Sequence, residues 1–180
     1  VGIGLSADDK YFFINTSNHN TSEQYYFSVN EKDPKPKLIK ERQKGILYSV
    51  NSWDGKFYNH TNENAEDFKI DITDSLEKPI WKTFIAAKEE VLIGGLTFLK
   101  NWIIRSETSN ALDKLFVKNI TTEKEEELIF SDEIVYVPDV SLLQRNKNTD
   151  EIYLSYSSPK TQLRMYLYNL SSKEKKLVKE

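Results

Sequence analysis

A repeat of about 45 residues constrains the fold of this chain more than any other feature of its sequence. Four short segments rich in aromatic and branched residues begin 46, 45 and 50 residues apart, at Tyr11, Phe57, Trp102 and Ile152. A second segment of the same kind follows each of them after 14, 11, 13 and 13 residues, at Tyr25, Phe68, Leu115 and Met165. Such side chains favour strands, because they fit well on a pleated surface.

Two further short strands complete each unit. The third strands are predicted at Leu38-Ile39, Trp81, Leu128-Ile129 and Leu177-Val178, and the strands that precede each unit at Val1–Leu5, Ile46–Val50, Val91–Leu96 and Ile134–Val140. Four strands per unit at this period are typical of β-propeller blades. The sequence therefore predicts an all-β propeller of about four four-stranded blades, at residues 1–42, 43–87, 88–130 and 131–180.

The pattern disfavours the other repeat folds. No segment keeps apolar residues at helical spacing for more than a turn or two, which excludes a solenoid of helical pairs. A β-sandwich could use similar strands, but that fold does not account for a repeat at this interval. Gly2, Gly4, Gly94 and Gly95 fall in or beside first strands, where they indicate either close backbone approach or a frayed edge.

Composition excludes several classes of partner. The 25 basic and 28 acidic residues give a net charge of -3 and form no basic patch, which argues against nucleic-acid binding. The longest apolar run, Val91 to Leu99, is too short to cross a membrane. The chain has no Cys, which suits a reducing compartment, and we expect a cytoplasmic location. No signal peptide is visible, and the start at Val1 favours an expressed fragment.

No constellation of catalytic, cofactor-binding or metal-ligating residues is recognisable. There is no Gly-x-Ser-x-Gly segment, and the candidate general bases, His19 and His60, are both interpreted as surface or turn residues. The segment from Asp71 to Asp74 lacks calcium-loop spacing. Two charge runs, at 123–127 and 173–176, are interpreted as solvated connections, with contact to a partner as the alternative. Five Asn-x-Ser/Thr sequons are attributed to chance.

Several segments carry a family resemblance that covers the whole chain in order. They are the Thr-Ser-Glu step at 21–23, the stretch DGKFYNHTNENAEDF at 54–68, the Trp-led apolar run at 81–99, and YLSYSSPKTQLRMYLY at 153–168. Together they resemble the propeller of the oligopeptidase B (protease II) branch of the prolyl oligopeptidase family of serine peptidases.

The resemblance implies a seven-bladed propeller that caps an α/β-hydrolase catalytic domain. Roughly 135 residues, or three blades, would then precede this chain, and the catalytic domain would follow Glu180. Members of this branch cleave short peptides after Arg or Lys, and their propeller keeps folded proteins from the active site. The implied function is thus a non-catalytic gating domain whose partners are its own catalytic domain and short peptide substrates.

Two other functions remain open at this point. One is a propeller scaffold for protein or ligand binding with no enzyme attached, and the other is a self-contained four-bladed propeller with its own ligand. If the chain is an arc of a larger ring, its terminal blades expose faces and edges that invite self-association.

Overall fold

The computed structural model describes residues 1–129, 136–142 and 147–179, and all 16 of its secondary-structure elements in these ranges are β-strands. They form four antiparallel sheets of four strands each, and every sheet is built from four consecutive strands. The predicted all-β class and the four-stranded blades are therefore confirmed. The chain divides into two compact units, Val1–Ile93 and Gly94–Glu180.

The first unit contains the first two sheets. The strands of the first sheet are β1 (Gly2–Leu5), β2 (Tyr11–Ser17), β3 (Ser22–Ser28) and β4 (Lys37–Lys40). Those of the second sheet are β5 (Tyr48–Trp53), β6 (Lys56–Thr61), β7 (Lys69–Thr73) and β8 (Lys82–Ile85). In both sheets the spatial order of the strands equals their order in the sequence.

The third sheet begins at the boundary between the units, and the fourth lies within the second unit. The third sheet has β9 (Leu92–Leu99), β10 (Trp102–Ser109), β11 (Leu112–Asn119) and β12 (Glu125–Glu127). The fourth has β13 (Val137–Ser141), β14 (Glu151–Ser157), β15 (Arg164–Asn169) and β16 (Lys175–Lys179). Both sheets repeat the sequential order of the first two.

The turns form where Asp, Asn and Gly accept a positive φ. In the first sheet, Asp9 has a φ of 58°, and the hydroxyl of Ser6 accepts hydrogen bonds from the backbone N–H groups of Lys10 and Tyr11. In the second sheet, Asp54 and Gly55 have φ values of 49° and 71° between β5 and β6. Two successive residues at positive φ match the twist of a tight hairpin.

Two predicted third strands are displaced in the structure. Trp81 lies one residue before β8, and β12 ends at Glu127, before Leu128. Leu128 nevertheless donates its backbone N–H to the carbonyl of Leu115 (2.7 Å), and its side chain is buried. In the third sheet, the strand β12 itself consists of glutamates, and the buried residue Leu128 directly after it fixes its end. The predicted strand at 134–140 falls partly outside the described residues.

The glycines in first strands do not behave alike. A Cβ on Gly94 would lie 2.1 Å from the hydroxyl oxygen of Ser106 and 3.1 Å from its carbonyl oxygen, so a larger residue there would require Ser106 to move. A Cβ on Gly2, Gly4 or Gly95 would meet no atom within 4 Å. Close backbone approach therefore explains Gly94, and the other three positions have room for a side chain.

Each unit has its own apolar core. In the first unit it consists of Phe13, Tyr26, Tyr48, Val50, Phe57 and Leu76. In the second unit it consists of Leu99, Ile104, Leu115, Val117, Leu128, Ile152, Leu154, Tyr156, Tyr168 and Leu170. Each core draws residues from both sheets that pack in that unit, which is how neighbouring blades bury their faces.

Candidate functional site

The two histidines lie in different environments, and neither meets the partners of a catalytic base. His19 is exposed in the turn between β2 and β3, as predicted. His60 is wrongly predicted as a surface or turn residue, since it lies in β6 and is half-buried. Within the part of the chain that the structure describes, neither histidine hydrogen bonds to a serine or a carboxylate.

His60 is held by the backbone and by an aromatic ring. Its Nε2 lies 2.7 Å from the carbonyl oxygen of Ile93, and its ring stacks on Phe68 at 4.6 Å between centroids. Phe68 has a φ of 67°, an uncommon conformation for a bulky residue. Burial lowers the pKa of His60, and the hydrogen bond to Ile93 only partly opposes this. The site is suited to a neutral imidazole that fastens the entry into β9.

The described residues contain no group of three or more His, Cys, Asp or Glu side chains that could hold a metal ion. In the segment from Asp71 to Asp74, the two carboxylates have separate lysine partners. Asp71 pairs with Lys69 at 2.9 Å, and Asp74 pairs with Lys56. Both therefore act as partners of neighbouring ammonium groups rather than as a ligand set.

The glutamate run at 123–127 contacts basic residues of its own unit. Glu125 pairs with Arg105 (2.8 Å), Glu126 with Lys173, and Glu127 with Lys114 (3.3 Å). Lys173 belongs to the second charge run, which is therefore joined to the first through Glu126. The runs do more than solvate two connections, because they link strands within the unit.

Arg105 is the centre of a buried charge cluster that the sequence did not reveal. Its side chain is 3% exposed, and it contacts Glu107 on the same strand and Glu125 on β12, each at 2.8 Å. Its guanidinium also lies over the ring of Phe116, 4.8 Å from the centroid. Burial acts to lower the pKa of Arg105, but the hydrogen bonds and charges of Glu125 and Glu107 outweigh it and raise the pKa. Positions 105 and 107 share one face of β10, which is the available sequence signal.

Side chains of the first sheet form hydrogen bonds to the edge of the second sheet. The Ser22 hydroxyl donates to the carbonyl of Tyr48 (2.8 Å) and accepts from the N–H of Tyr48 (2.6 Å). The Gln24 amide donates to the carbonyl of Val50 (3.1 Å) and accepts from its N–H (2.7 Å). We call these four residues the polar seam.

The polar seam has a clear physical reason. β5 is the edge strand of its sheet, so alternate N–H and C=O groups along it have no partner strand. Buried backbone groups without partners are costly, and edge strands must be covered. Ser22 and Gln24 are two residues apart on β3 and thus project from one face, at the spacing of Tyr48 and Val50 on β5. Together they take the place of the missing strand.

The fourth sheet packs against the third through apolar side chains, and Asp150, just before β14, accepts hydrogen bonds from the Lys100 ammonium and the Trp102 indole (2.8 Å each). Buried residues from β14, Ile152 and Leu154, pack with Ile104 and Val117 in the core of the second unit. We call the ten core residues of the second unit, from Leu99 to Leu170, the apolar seam. Along β14, buried side chains alternate with half-buried ones, so the face of this strand opposite to the apolar seam is only partly covered.

The first sheet also keeps one face that nothing in its unit buries fully. Phe12 and Phe27 stack there at 5.2 Å between centroids, on the side opposite to the core residue Phe13. On β1, Ile3 and Leu5 are 65% and 50% exposed. Exposed apolar groups grouped on one sheet and its edge are typical of an interaction surface.

Two of the five sequons, which begin at Asn15, Asn20, Asn59, Asn119 and Asn169, form capped turns in the structure. The side chains of Asn119 and Asn169 each accept two hydrogen bonds from backbone N–H groups two and three residues ahead, at 2.9 to 3.0 Å. The same capped turn therefore recurs in the third and fourth sheets. Asn59 is 6% exposed, which leaves its side chain inaccessible. Among the described residues, no helix is long and apolar enough to cross a membrane.

The family profile described as "Prolyl oligopeptidase, N-terminal beta-propeller domain" matches residues 1–180. Two curated proteins show the same relationship. Dipeptidyl aminopeptidase BI of Pseudoxanthomonas mexicana is 26% identical over 183 residues, which cover 100% of this chain and 25% of that protein. Protease 2 of Moraxella lacunata is 25% identical over 185 residues, which cover 96% of this chain and 24% of that protein. The chain thus spans about a quarter of these relatives.

Solved structures show the same fold. Oligopeptidase B from Trypanosoma brucei, in its closed form with covalently bound antipain, superposes with a TM-score of 0.89 at 23% identity, over 99% of this chain and 27% of that chain. Oligopeptidase B from Leishmania major gives a TM-score of 0.82 at 14% identity, over 99% and 26%. At these identities the likeness establishes the propeller fold.

Proposed function

The chain belongs to the N-terminal β-propeller domain family of the prolyl oligopeptidases, and from this premise we propose that it is the non-catalytic, substrate-gating part of a longer serine oligopeptidase. The observation that carries the proposal is the family match over all 180 residues, together with four sheets of the blade type. The chemistry of peptide hydrolysis would come from a catalytic domain outside this chain.

Gating requires a rigid body that restricts access by size, and the blades supply rigidity in two ways. Hydrogen bonds across the polar seam fix the register of two blades, and close packing across the apolar seam fixes two others. Each pair of blades joined in this way resists the local opening that would admit a folded protein. We propose that the enzyme accepts short peptides for this reason.

The proposed cleavage after Arg or Lys rests on the likeness to the oligopeptidase B branch. Its test uses the longest natural protein that contains this chain. We expect a fluorophosphonate probe to label that protein and peptides ending in Arg or Lys to be released, while the 180-residue chain stays silent as the blank. A protein that neither labels nor cleaves would overturn the peptidase and favour the alternative, a propeller scaffold that binds a protein or ligand.

Gating is tested separately by the size of the substrate. One cleavable sequence is presented as a short peptide and within a folded protein, and the rates are compared at equal concentration. We expect cleavage of the peptide alone. Equal cleavage of both would retain the peptidase but exclude a gating role for the propeller.

We also propose that the isolated chain self-associates through the open face of its first sheet. The stacked rings of Phe12 and Phe27, with Ile3 and Leu5 at the adjacent edge, form the apolar surface that a second copy would cover. Sedimentation of the wild-type chain should show dimers or larger species, and Phe27→Ser should shift the distribution toward monomer. A wild-type monomer at all concentrations would contradict this.

A cytoplasmic location is likewise a proposal, to be tested by cell fractionation.

A further inference from the structure

A cavity of about 360 Å³ lies at one end of the second sheet, where the loop from β7 to β8 meets the turn from β5 to β6. Three lysines line it, Lys56, Lys78 and Lys82, against a single carboxylate, that of Asp74. The cavity therefore carries an excess of positive charge, whereas the whole chain has a net charge of -3. A local field opposite in sign to the net charge indicates a site for an anionic partner.

The acidic residues of the loop do not neutralise this excess. Asp74 is hydrogen bonded to Lys56, and this bond, with the charges of Lys56 and Lys82, holds the pKa of Asp74 below its usual value. Glu77 points away from the cavity to Lys37 on β4, at 3.2 Å. The lining of the cavity thus holds one carboxylate and three ammonium groups.

The loop between β7 and β8, which carries Lys78, is held in place by hydrogen bonds and by burial. The Thr73 hydroxyl donates to the carbonyl of Ser75 (3.3 Å) and accepts from the N–H of Ile80 (3.2 Å). Leu76, in the middle of the loop, is 6% exposed and belongs to the core of the first unit. A loop fixed at both ends and in its centre loses little entropy when it binds, which favours affinity.

An apolar group stands beside the charges. The side chain of Ile80 lines the cavity and is 75% exposed. A small inorganic anion would leave this surface in water, whereas a peptide with an apolar residue next to its carboxylates would cover it. We propose that this lysine pocket (Lys56, Lys78, Lys82 and Ile80) is a docking site for an acidic peptide segment that carries an apolar side chain.

The pocket is tested by binding and needs no enzymatic readout, so the result is independent of the proposed peptidase function. The probe is a fluorescein-labelled peptide of four glutamates around one leucine, titrated by anisotropy against the longest natural protein that contains this chain. We expect saturable binding that weakens as salt rises. Lys78→Gln combined with Lys82→Gln should weaken it about fivefold, because two exposed ion pairs are lost.

The matched control is Lys32→Gln combined with Lys35→Gln, which removes the same charge from an exposed loop of the first sheet. This variant should bind like the wild type. Hydrogen exchange should show protection by the peptide in residues 72–82. Three results would overturn the proposal: an equal loss in both double variants, protection elsewhere, or no binding at about 1 mM peptide. Inorganic phosphate that competes as strongly as the peptide would reduce the pocket to a simple anion site.

Discussion

Both pairs of blades pack through an apolar core, and the polar seam adds side-chain hydrogen bonds to the backbone of an edge strand, whereas the apolar seam is built mainly from packed side chains. Across the polar seam, the side chains of Ser22 and Gln24 satisfy backbone groups of Tyr48 and Val50 through four hydrogen bonds. Across the apolar seam, ten buried residues pack together, and Asp150 beside them accepts hydrogen bonds from Lys100 and Trp102. The sheets themselves have the same number of strands in the same order.

The difference shows that, in a repeat protein, the register of neighbouring strands and the packing of neighbouring blades can be determined by different contacts. Hydrogen bonds are directional, so a shift of one residue along β5 would break all four bonds of the polar seam. Apolar burial is not directional, so the apolar seam specifies register mainly through the shapes of its side chains. Substitutions at the two seams should therefore fail for different reasons and by different amounts.

The largest effect is expected at the apolar seam. Leu154 is 1% exposed, and Leu154→Ala should lower the free energy of unfolding by about 3 kcal/mol, since it removes buried methyl groups and leaves a cavity. Urea unfolding of the wild type and variant measures the change. The control is Leu167→Ala on the half-exposed face of the same sheet, which should cost less than about 1 kcal/mol. Equal losses would mean that the apolar seam holds no special share of the stability.

A smaller loss of another kind is expected at Gln24. Gln24→Leu replaces the amide by an apolar side chain of similar size and leaves the N–H and C=O of Val50 without their side-chain partners, so we expect a loss of about 2 kcal/mol. Gln43→Leu, at an exposed position of the same unit, should be nearly neutral. If Gln24→Leu left stability unchanged, the polar seam would be an accessory to packing rather than a substitute for a strand.

The sequence predicts the apolar elements of this fold better than its polar ones. Strands were predictable because aromatic and branched residues recur at a fixed interval, and the exposed turn at His19 follows from its polar neighbours. The polar seam was not predictable, because Ser and Gln are common on exposed strand positions. The partners of Ser22 and Gln24 are backbone groups 26 residues away, which no sequence pattern marks. The prediction that His60 is a surface or turn residue was wrong for a related reason, because its hydrogen-bond partner is the backbone of Ile93.

The charged residues show the same limit. A run of glutamates reads as solvated surface, yet Glu125 faces Arg105, which is 20 residues earlier and buried. Pairing of this kind depends on which strands become neighbours, and that is decided by the repeat as a whole. The candidate sites therefore needed the three-dimensional arrangement, whereas the blades did not.

Ser22 allows a finer measurement of the polar seam. Ser22→Ala removes one hydroxyl that bonds to both backbone groups of Tyr48, and we expect a loss of about 1 kcal/mol. Because Gln24 contacts a different residue of β5, the double variant Ser22→Ala/Gln24→Leu tests coupling along the strand. A loss in the double variant that is smaller than the two single losses combined would show that one broken contact already releases the edge.

The comparison between the seams should not depend on pH near neutrality, because the side chains that form them are Ser, Gln, Tyr and aliphatic groups. The titrating group of this region is His60, on the other face of the second sheet. Its pKa is lowered by burial, so below the unfolded value of about 6.5 the unfolded chain binds more protons than the folded chain. Stability should therefore be fully present above that pH and decline as the pH falls below it.

The non-titrating variant His60→Gln can still donate to the carbonyl of Ile93, and it should flatten the stability profile between about pH 5 and 7. The matched control, His19→Gln, removes an exposed histidine and should leave the wild-type slope. Urea unfolding midpoints across this range measure both. An unchanged slope in His60→Gln would assign the pH dependence to other groups and would leave the contact between His60 and Ile93 as a packing feature. If His60→Gln flattens the pH dependence of stability, and the free energies lost in Leu154→Ala and Gln24→Leu do not change with pH, then the titration of His60 is independent of both seams.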